Sequence, residues 1–206
     1  MVLTLADLIY INDAAKALKQ KEFLFFRNRL YGVDNIMNYL IYVDLDTNHL
    51  SKDFYSYSGI LFSAKELSKF VKSLSIEKEF EINMGVKMGV LTSMACESVS
   101  YIINNSLDAM VLNKVNTITN RPYSDDDNID NLIEPMNSMK KVDGTYNVIY
   151  NNIYYLTLFP GLLPINKGDK SYIAISDDIN SNIFISRFKV IKKKFVVTLF
   201  IGYLKV

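Results

Sequence analysis

Cysteine is almost missing from this chain. Cys96 is the only one among 206 residues, so an intrachain disulfide and a cysteine-based zinc site are both excluded. Cys96 itself reads as a small buried hydrophobe. Strong charge of one sign is missing too: the formal net charge is +1, which gives no overall attraction to nucleic acid and leaves only local basic faces to act at close range. No segment approaches the roughly 18 uninterrupted apolar residues of a membrane span. Residues Met1 to Leu18 carry Asp7, Asp13 and Lys16 where a signal peptide would be apolar. A cytoplasmic protein without a membrane partner is therefore expected. Phosphate-loop glycines are lacking as well, since Gly85-Val-Lys-Met-Gly89 has neither the spacing nor the following Lys-Ser/Thr. Histidine occurs once, as His49 in the turn-like Asp46-Thr-Asn-His-Leu-Ser-Lys52, with no Gly-x-Ser-x-Gly elbow to support a nucleophile. With 4 prolines, no tryptophan and much Asn, Lys, Ile and Tyr, the composition looks like translation from an AT-rich genome.

What is present is apolar residue in quantity. Half of the chain is hydrophobic and 22% is charged, the balance of a globular protein with one substantial domain or two small ones. The clearest local signal is Ser63-Ala-Lys-Glu-Leu-Ser-Lys-Phe-Val-Lys-Ser-Leu74. Ser63 and Glu66 have capping-box spacing. Leu67, Phe70, Val71 and Leu74 follow at the spacing of one buried helix face, while Lys65, Lys69 and Lys72 fall on the other side. Thr4 to Lys19 predicts a first helix, opened by Thr4 with Asp7 and carrying Leu5, Leu8, Ile9 and Ile11 toward a core. Asn12, Lys16 and Lys19 share a face there by spacing.

Strands are expected near Phe23 to Phe26, Arg29 to Val33, Asn38 to Leu45 and Phe54 to Phe62. Three more follow the second helix, over Glu79 to Met84, Lys87 to Thr92 and Ser98 to Asn104. From Asn105 to Asp130 the chain turns polar, and Tyr123-Ser-Asp-Asp-Asp-Asn128 is too acidic for a core element, so this stretch predicts a connector or exposed loop. A helix over Asn128 to Val142, weakened by Pro135 and ending in Lys140 and Lys141, comes next. Thr145 to Tyr150 reads as a strand and Ile153 to Leu163 as a short helix-like segment. Ser171 to Ser176, Ile183 to Val190 and Phe195 to Tyr203 read as closing strands. Element order after Asn151 then parallels that after Phe62, which suggests a weak internal duplication. The expected division is 1–106, a connector over 107–127, and 128–206.

Carboxylates pair at Asp44/Asp46, Asp125 to Asp127 and Asp177/Asp178. Asp44 and Asp46 on one strand would point to the same side, a beginning for a two-metal nuclease that still needs a third ligand. The other two sets occupy turn positions, where Asp is favoured because it bonds the nearby backbone. No catalytic, cofactor-binding or metal residues are expected. The remaining signal is basic: Lys16/Lys19, Lys65/Lys69/Lys72 and Lys140/Lys141 all lie on candidate helices. Gathered on one side of a sheet layer, they would make a positive wall suited to phosphates without base readout.

Strands ending in Tyr55-Ser-Tyr-Ser-Gly-Ile-Leu-Phe62, the helix Ala64-Lys-Glu-Leu-Ser-Lys-Phe-Val-Lys72 and further strands together resemble one domain of a DNA sliding clamp. Ser171-Tyr-Ile-Ala-Ile-Ser-Asp-Asp178, Phe184-Ile-Ser-Arg-Phe-Lys-Val190 and Phe195-Val-Val-Thr-Leu-Phe-Ile201 are similar to the closing strands of that family's last domain. The resemblance implies an α+β, DNA-clamp-like fold of two similar domains, each with helices packed on one face of antiparallel sheets, the second trimmed. It implies a non-enzymatic polymerase processivity factor of phage or viral type, acting in the infected cell's cytoplasm. Such a protein forms a homo-oligomeric ring on duplex DNA and partners a polymerase and a clamp loader. Lys16, Lys19, Lys65, Lys69 and Lys72, with Lys140 and Lys141, match inward-facing basic positions by placement. The alternative is a phage virion structural or assembly protein whose lysines are merely solvated.

Overall fold

The structure is a computed structural model that describes residues 2–18, 20–32, 39–46, 60–74, 82–87, 90–96, 99–102, 109–131, 146–151, 154–158, 165–177 and 180–204. The chain divides into two compact units, Met1–Met37 with Tyr42–Asn113, and Asn38–Ile41 with Lys114–Val206. The architecture is α+β with antiparallel sheets.

In the first unit, α1 (Leu5–Leu18) opens on a complete capping box. The Asp7 amide donates to Thr4 Oγ1 at 3.2 Å, and both the Thr4 amide and hydroxyl donate to Asp7 Oδ2 at 2.9 Å. Leu8, Ile11, Ala14, Ala15 and Leu18 form its buried face. Strands β2 (Glu22–Phe26) and β3 (Arg29–Gly32) make a hairpin, with β5 (Ile60–Ser63) on the other edge of β2 and β4 (Tyr39–Asp44) beside β3. Phe23, Phe25 and Leu30 are fully buried. Helix α2 (Ala64–Ser73) packs against α1 and β5. A second sheet has the order β1 (Val2–Leu3), β6 (Ile82–Lys87), β7 (Val90–Cys96), β8 (Val99–Ile102), and α2 also packs on β8. The strand expected to end at Met84 runs on: β6 continues to Lys87, and its register against β7 shifts at a bulge between Gly85 and Val86. A lone glycine in a strand pattern marks a bulge as readily as a turn.

Two further expectations are corrected. The stretch read as a connector contains α3 (Ala109–Thr119), whose last residues precede an extended strap ending in β9 (Asp127–Asn128). Val111, Val115 and Ile118 have helical spacing there, diluted by Asn113, Asn116 and Thr117, and Val115 is buried. Within the helix-like segment expected over Ile153 to Leu163, Tyr154–Leu158 is strand β11, paired along its length with β10 (Tyr146–Tyr150), and the remainder lies outside the described residues. Tyr154, Tyr155 and Thr157 suit a strand, and Asn151, at φ 53°, begins the reversal between the two. The parallel of element order after Phe62 and Asn151 therefore fails at its first element.

The closing strands agree with expectation. β12 (Lys170–Asp177), β13 (Ile183–Ile191) and β14 (Val196–Leu204) form an antiparallel meander, with β9 on the outer edge of β12. Ile173, Phe184, Phe188, Val190, Val197 and Leu199 are buried in it. Asn128 Oδ1 accepts from the Asp130 amide at 2.9 Å where a helical turn begins. The rest of the helix expected through Val142 lies outside the described residues.

Candidate nucleic-acid interface

Helix α2 carries three exposed lysines. Ser63, in extended conformation at φ −83° and ψ 133°, caps it by accepting from the Glu66 amide at 3.5 Å. The Ala64 amide donates to the Lys21 carbonyl at 2.9 Å and so ties the helix start to the entry of β2. Leu67, Phe70 and Leu74 are buried, which turns Lys65, Lys69 and Lys72 outward to exposed positions. Lys69 meets the Glu66 carboxylate at 3.5 Å, with both side chains about half exposed or more. Such a surface pair contributes little and yields readily to a stronger anion. Among the described residues no ion pair involves Lys65 or Lys72.

Helix α1 contributes less than its spacing suggested. Asn12, placed by spacing on the basic face, is buried at 5% exposure. The open stripe runs instead through Ala6, Ile9 and Lys16, with Asp13 half-buried beside it. Lys16 is exposed and pairs with Asp13 at 3.3 Å, one turn back. Lys19, Lys140 and Lys141 lie outside the described residues.

Several of these carboxylates meet protein partners. Asp44 Oδ1 accepts from Arg29 Nε at 2.8 Å, while Asp46 is tied through its backbone, its amide donating to Tyr10 Oη at 2.8 Å. Asp126 accepts from Arg187 at 2.8 Å and from Lys189 at 2.6 Å. Asp127 accepts from the Tyr150 hydroxyl, and Asp177 from the Tyr154 hydroxyl at 3.2 Å. Among the described residues no three metal-ligating side chains converge; His49 and Asp178 lie outside them. The third ligand that a two-metal reading of Asp44 and Asp46 requires is missing among the described residues.

Two clusters had no local sequence signal. At the first, Arg29 lies over the Tyr42 ring at 4.5 Å while Tyr42 meets Tyr31 edge-on at 5.3 Å. Burial works to lower the Arg29 pKa, but Tyr42, Tyr31 and Asp44 outweigh it and hold the guanidinium more firmly charged than usual. At the second, Arg187 lies over Tyr123 at 4.8 Å and joins Lys189 on Asp126. Partial burial works to raise the Asp126 carboxyl, yet hydrogen bonds from Lys189 and Arg187 prevail and hold it below the ordinary value. Partners 15 and 61 residues apart meet only through strand pairing, which no short-range pattern encodes.

No family model and no curated protein matches the chain. Solved structures similar to it are sliding clamps. Archaeoglobus fulgidus PCNA bound to the C-terminal region of FEN-1 aligns over the whole of both chains at 11% identity and a TM-score of 0.41. A DNA polymerase sliding clamp from Pseudomonas aeruginosa aligns with 96% of this chain, which spans 62% of that clamp, at 11% identity and a TM-score of 0.41. PCNA from Thermococcus kodakaraensis aligns with 95% of this chain and 94% of its own at 13% identity and a TM-score of 0.34.

Proposed function

We propose that this chain is a sliding-clamp-like DNA polymerase processivity factor of phage or viral type, with no catalytic residues of its own. It assembles as a homo-oligomeric ring around duplex DNA and tethers a polymerase, with a clamp loader as a further partner, in the cytoplasm of the infected cell. The observation that carries this reading is α2: a helix anchored by Leu67, Phe70 and Leu74 presents Lys65, Lys69 and Lys72 to solvent. Three ammonium groups on one helix flank are point charges for phosphates and carry no means of reading bases. Contacts of that kind let a protein move along DNA and weaken steeply with salt. Lys16 on α1, which packs beside α2, is the fourth phosphate contact. Lys19, Lys140 and Lys141 are proposed as further phosphate contacts.

The deciding experiment couples solution mass with polymerase extension on primed circular DNA, with and without the protein. An oligomer that lengthens the products is expected. A strict monomer without effect on product length would overturn the reading in favour of a virion structural or assembly protein.

A further inference from the structure

The β2–β3 hairpin closes through Arg27 and Asn28, both in the left-handed region at φ 48° and φ 60°. Two consecutive positive φ values are the signature of a tight hairpin turn of the primed type, whose central positions favour Asn, Asp and Gly. Asn28 fits that demand. Arg27 does not, because a long side chain with a Cβ crowds the following carbonyl in this region. The turn is held in place regardless: the Asn28 carbonyl accepts from the Leu45 amide at 2.9 Å, and Phe26 and Arg29 face each other as the last ladder pair. An unfavoured residue is thus kept at the tip by its surroundings. That tip side chain is exposed, and its guanidinium carbon lies 4.9 Å from the centre of the Phe26 ring. Arg29, two residues on, is engaged by Asp44 and Tyr42. Arg27 is therefore the net positive charge of the tip, steadied on an aromatic ring.

We infer that Arg27 is a second DNA contact, separate from the α2 lysines, in which its guanidinium fork grips a backbone phosphate. A guanidinium fork steadied by an aromatic face suits a phosphate oxygen pair. This deepens the DNA-binding reading and rests on it.

The test uses the full chain, a short fluorescent DNA duplex and a series of salt concentrations. Arg27→Gly and Arg27→Asn both suit the turn, so each is expected to raise Tm by about 2–4 °C. Each is also expected to reduce the slope of log affinity against log salt by about 0.9, the share of one phosphate contact. Arg27→Lys should keep the slope and gain no Tm. If the Gly and Asn variants are stabilised but bind duplex with unchanged affinity and slope, Arg27 is only a solvated tip and the inference falls. A loss of Tm in both removes its strain argument and overturns it as well. Unchanged binding in these variants beside lost binding on reversal of the α2 lysines would sink this inference alone. Absence of duplex binding by the unaltered protein would sink both.

Discussion

Helix α2 in the first unit and strand β13 in the second use their cations in opposite ways. In the first, the α2 lysines project from a helix flank, and the one ion pair they make among the described residues, Lys69 with Glu66, is half exposed and weak. In the second, the cations on β13 and just beyond it are engaged by carboxylates. Arg187 and Lys189 close on Asp126, and Lys192 meets Asp169 at 2.8 Å with both side chains mostly buried. A helix exposes one flank wherever its other flank is anchored, so charges there stay available to an outside anion. A strand edge covered by a strap brings carboxylates within reach of its own cations. Lysine counts alone therefore say nothing of available charge; what lies within reach of each lysine does.

Reversing charges in each unit sharpens this contrast most. Lys65→Glu, Lys69→Glu and Lys72→Glu together should leave the thermal transition nearly unchanged. They should lower the salt slope of duplex binding by about 2.7, the share of three phosphates. Retained binding in that variant would end the assignment of α2 as the DNA-facing helix. Asp126→Asn should do the reverse. With Arg187 and Lys189 short of their carboxylate, stability should drop by about 1–2 kcal/mol in denaturant titration while the salt slope stays put. The folded Asp126 carboxyl sits below its unfolded value of 3.8, so its contribution is complete above that pH and fades as pH falls through the lowered folded value. The Asn variant should lack this acid-dependent step.

The β10–β11 hairpin gives a gentler probe at the opposite end of the pH scale. Its Tyr150 hydroxyl donates to Asp127 on the strap, and Tyr154 sits 4.9 Å from Phe184, which stacks on Tyr203 at 5.2 Å. Burial, together with the Asp127 carboxylate, pushes the Tyr150 pKa up from 10.0 to about 12. A raised folded value means the contribution is intact below pH 10 and lost as pH climbs toward 12. Tyr150→Phe should cost about 1 kcal/mol at neutral pH and should remove that alkaline step. An identical alkaline profile in the variant would place the titrating group elsewhere.

How far the sequence alone reaches follows the same division. Helix α2 and the meander β12–β14 were legible because each carries its own period, 3.6 in Leu67, Phe70 and Leu74, and bounded apolar runs in the strands. Helix α3 is hidden by Asn and Thr between Val111, Val115 and Ile118, and β11 is hard to tell from helix because the apolar and aromatic residues from Ile153 to Leu163 carry no clear period of either kind. Of the candidate site, the exposure of Lys65, Lys69 and Lys72 was readable from spacing. The burial of Asn12 was not, since it depends on what lies against α1. The Arg29 and Asp126 clusters were invisible for the same reason: their members come together only through strand registry.

The smallest effect tests whether α2 holds its lysines by its buried side or by its cap. Ser63 accepts from the Glu66 amide at 3.5 Å, the long limit of a hydrogen bond. Removal of a cap hydroxyl costs between about 0.5 and 2 kcal/mol, and a bond this long belongs at the lower end. Ser63→Ala should therefore destabilise the first unit by about 0.5 kcal/mol, read as a small shift in denaturant midpoint with unchanged slope. The backbone tie from the Ala64 amide to the Lys21 carbonyl and the burial of Leu67, Phe70 and Leu74 survive the change, so the lysine flank should keep its position and duplex binding its salt slope. A slope that drops in Ser63→Ala as it does on charge reversal would show that the helix start, and not its apolar side, aims the charges. The contrast between an anchored helix flank and a strapped sheet edge would then need a different cause.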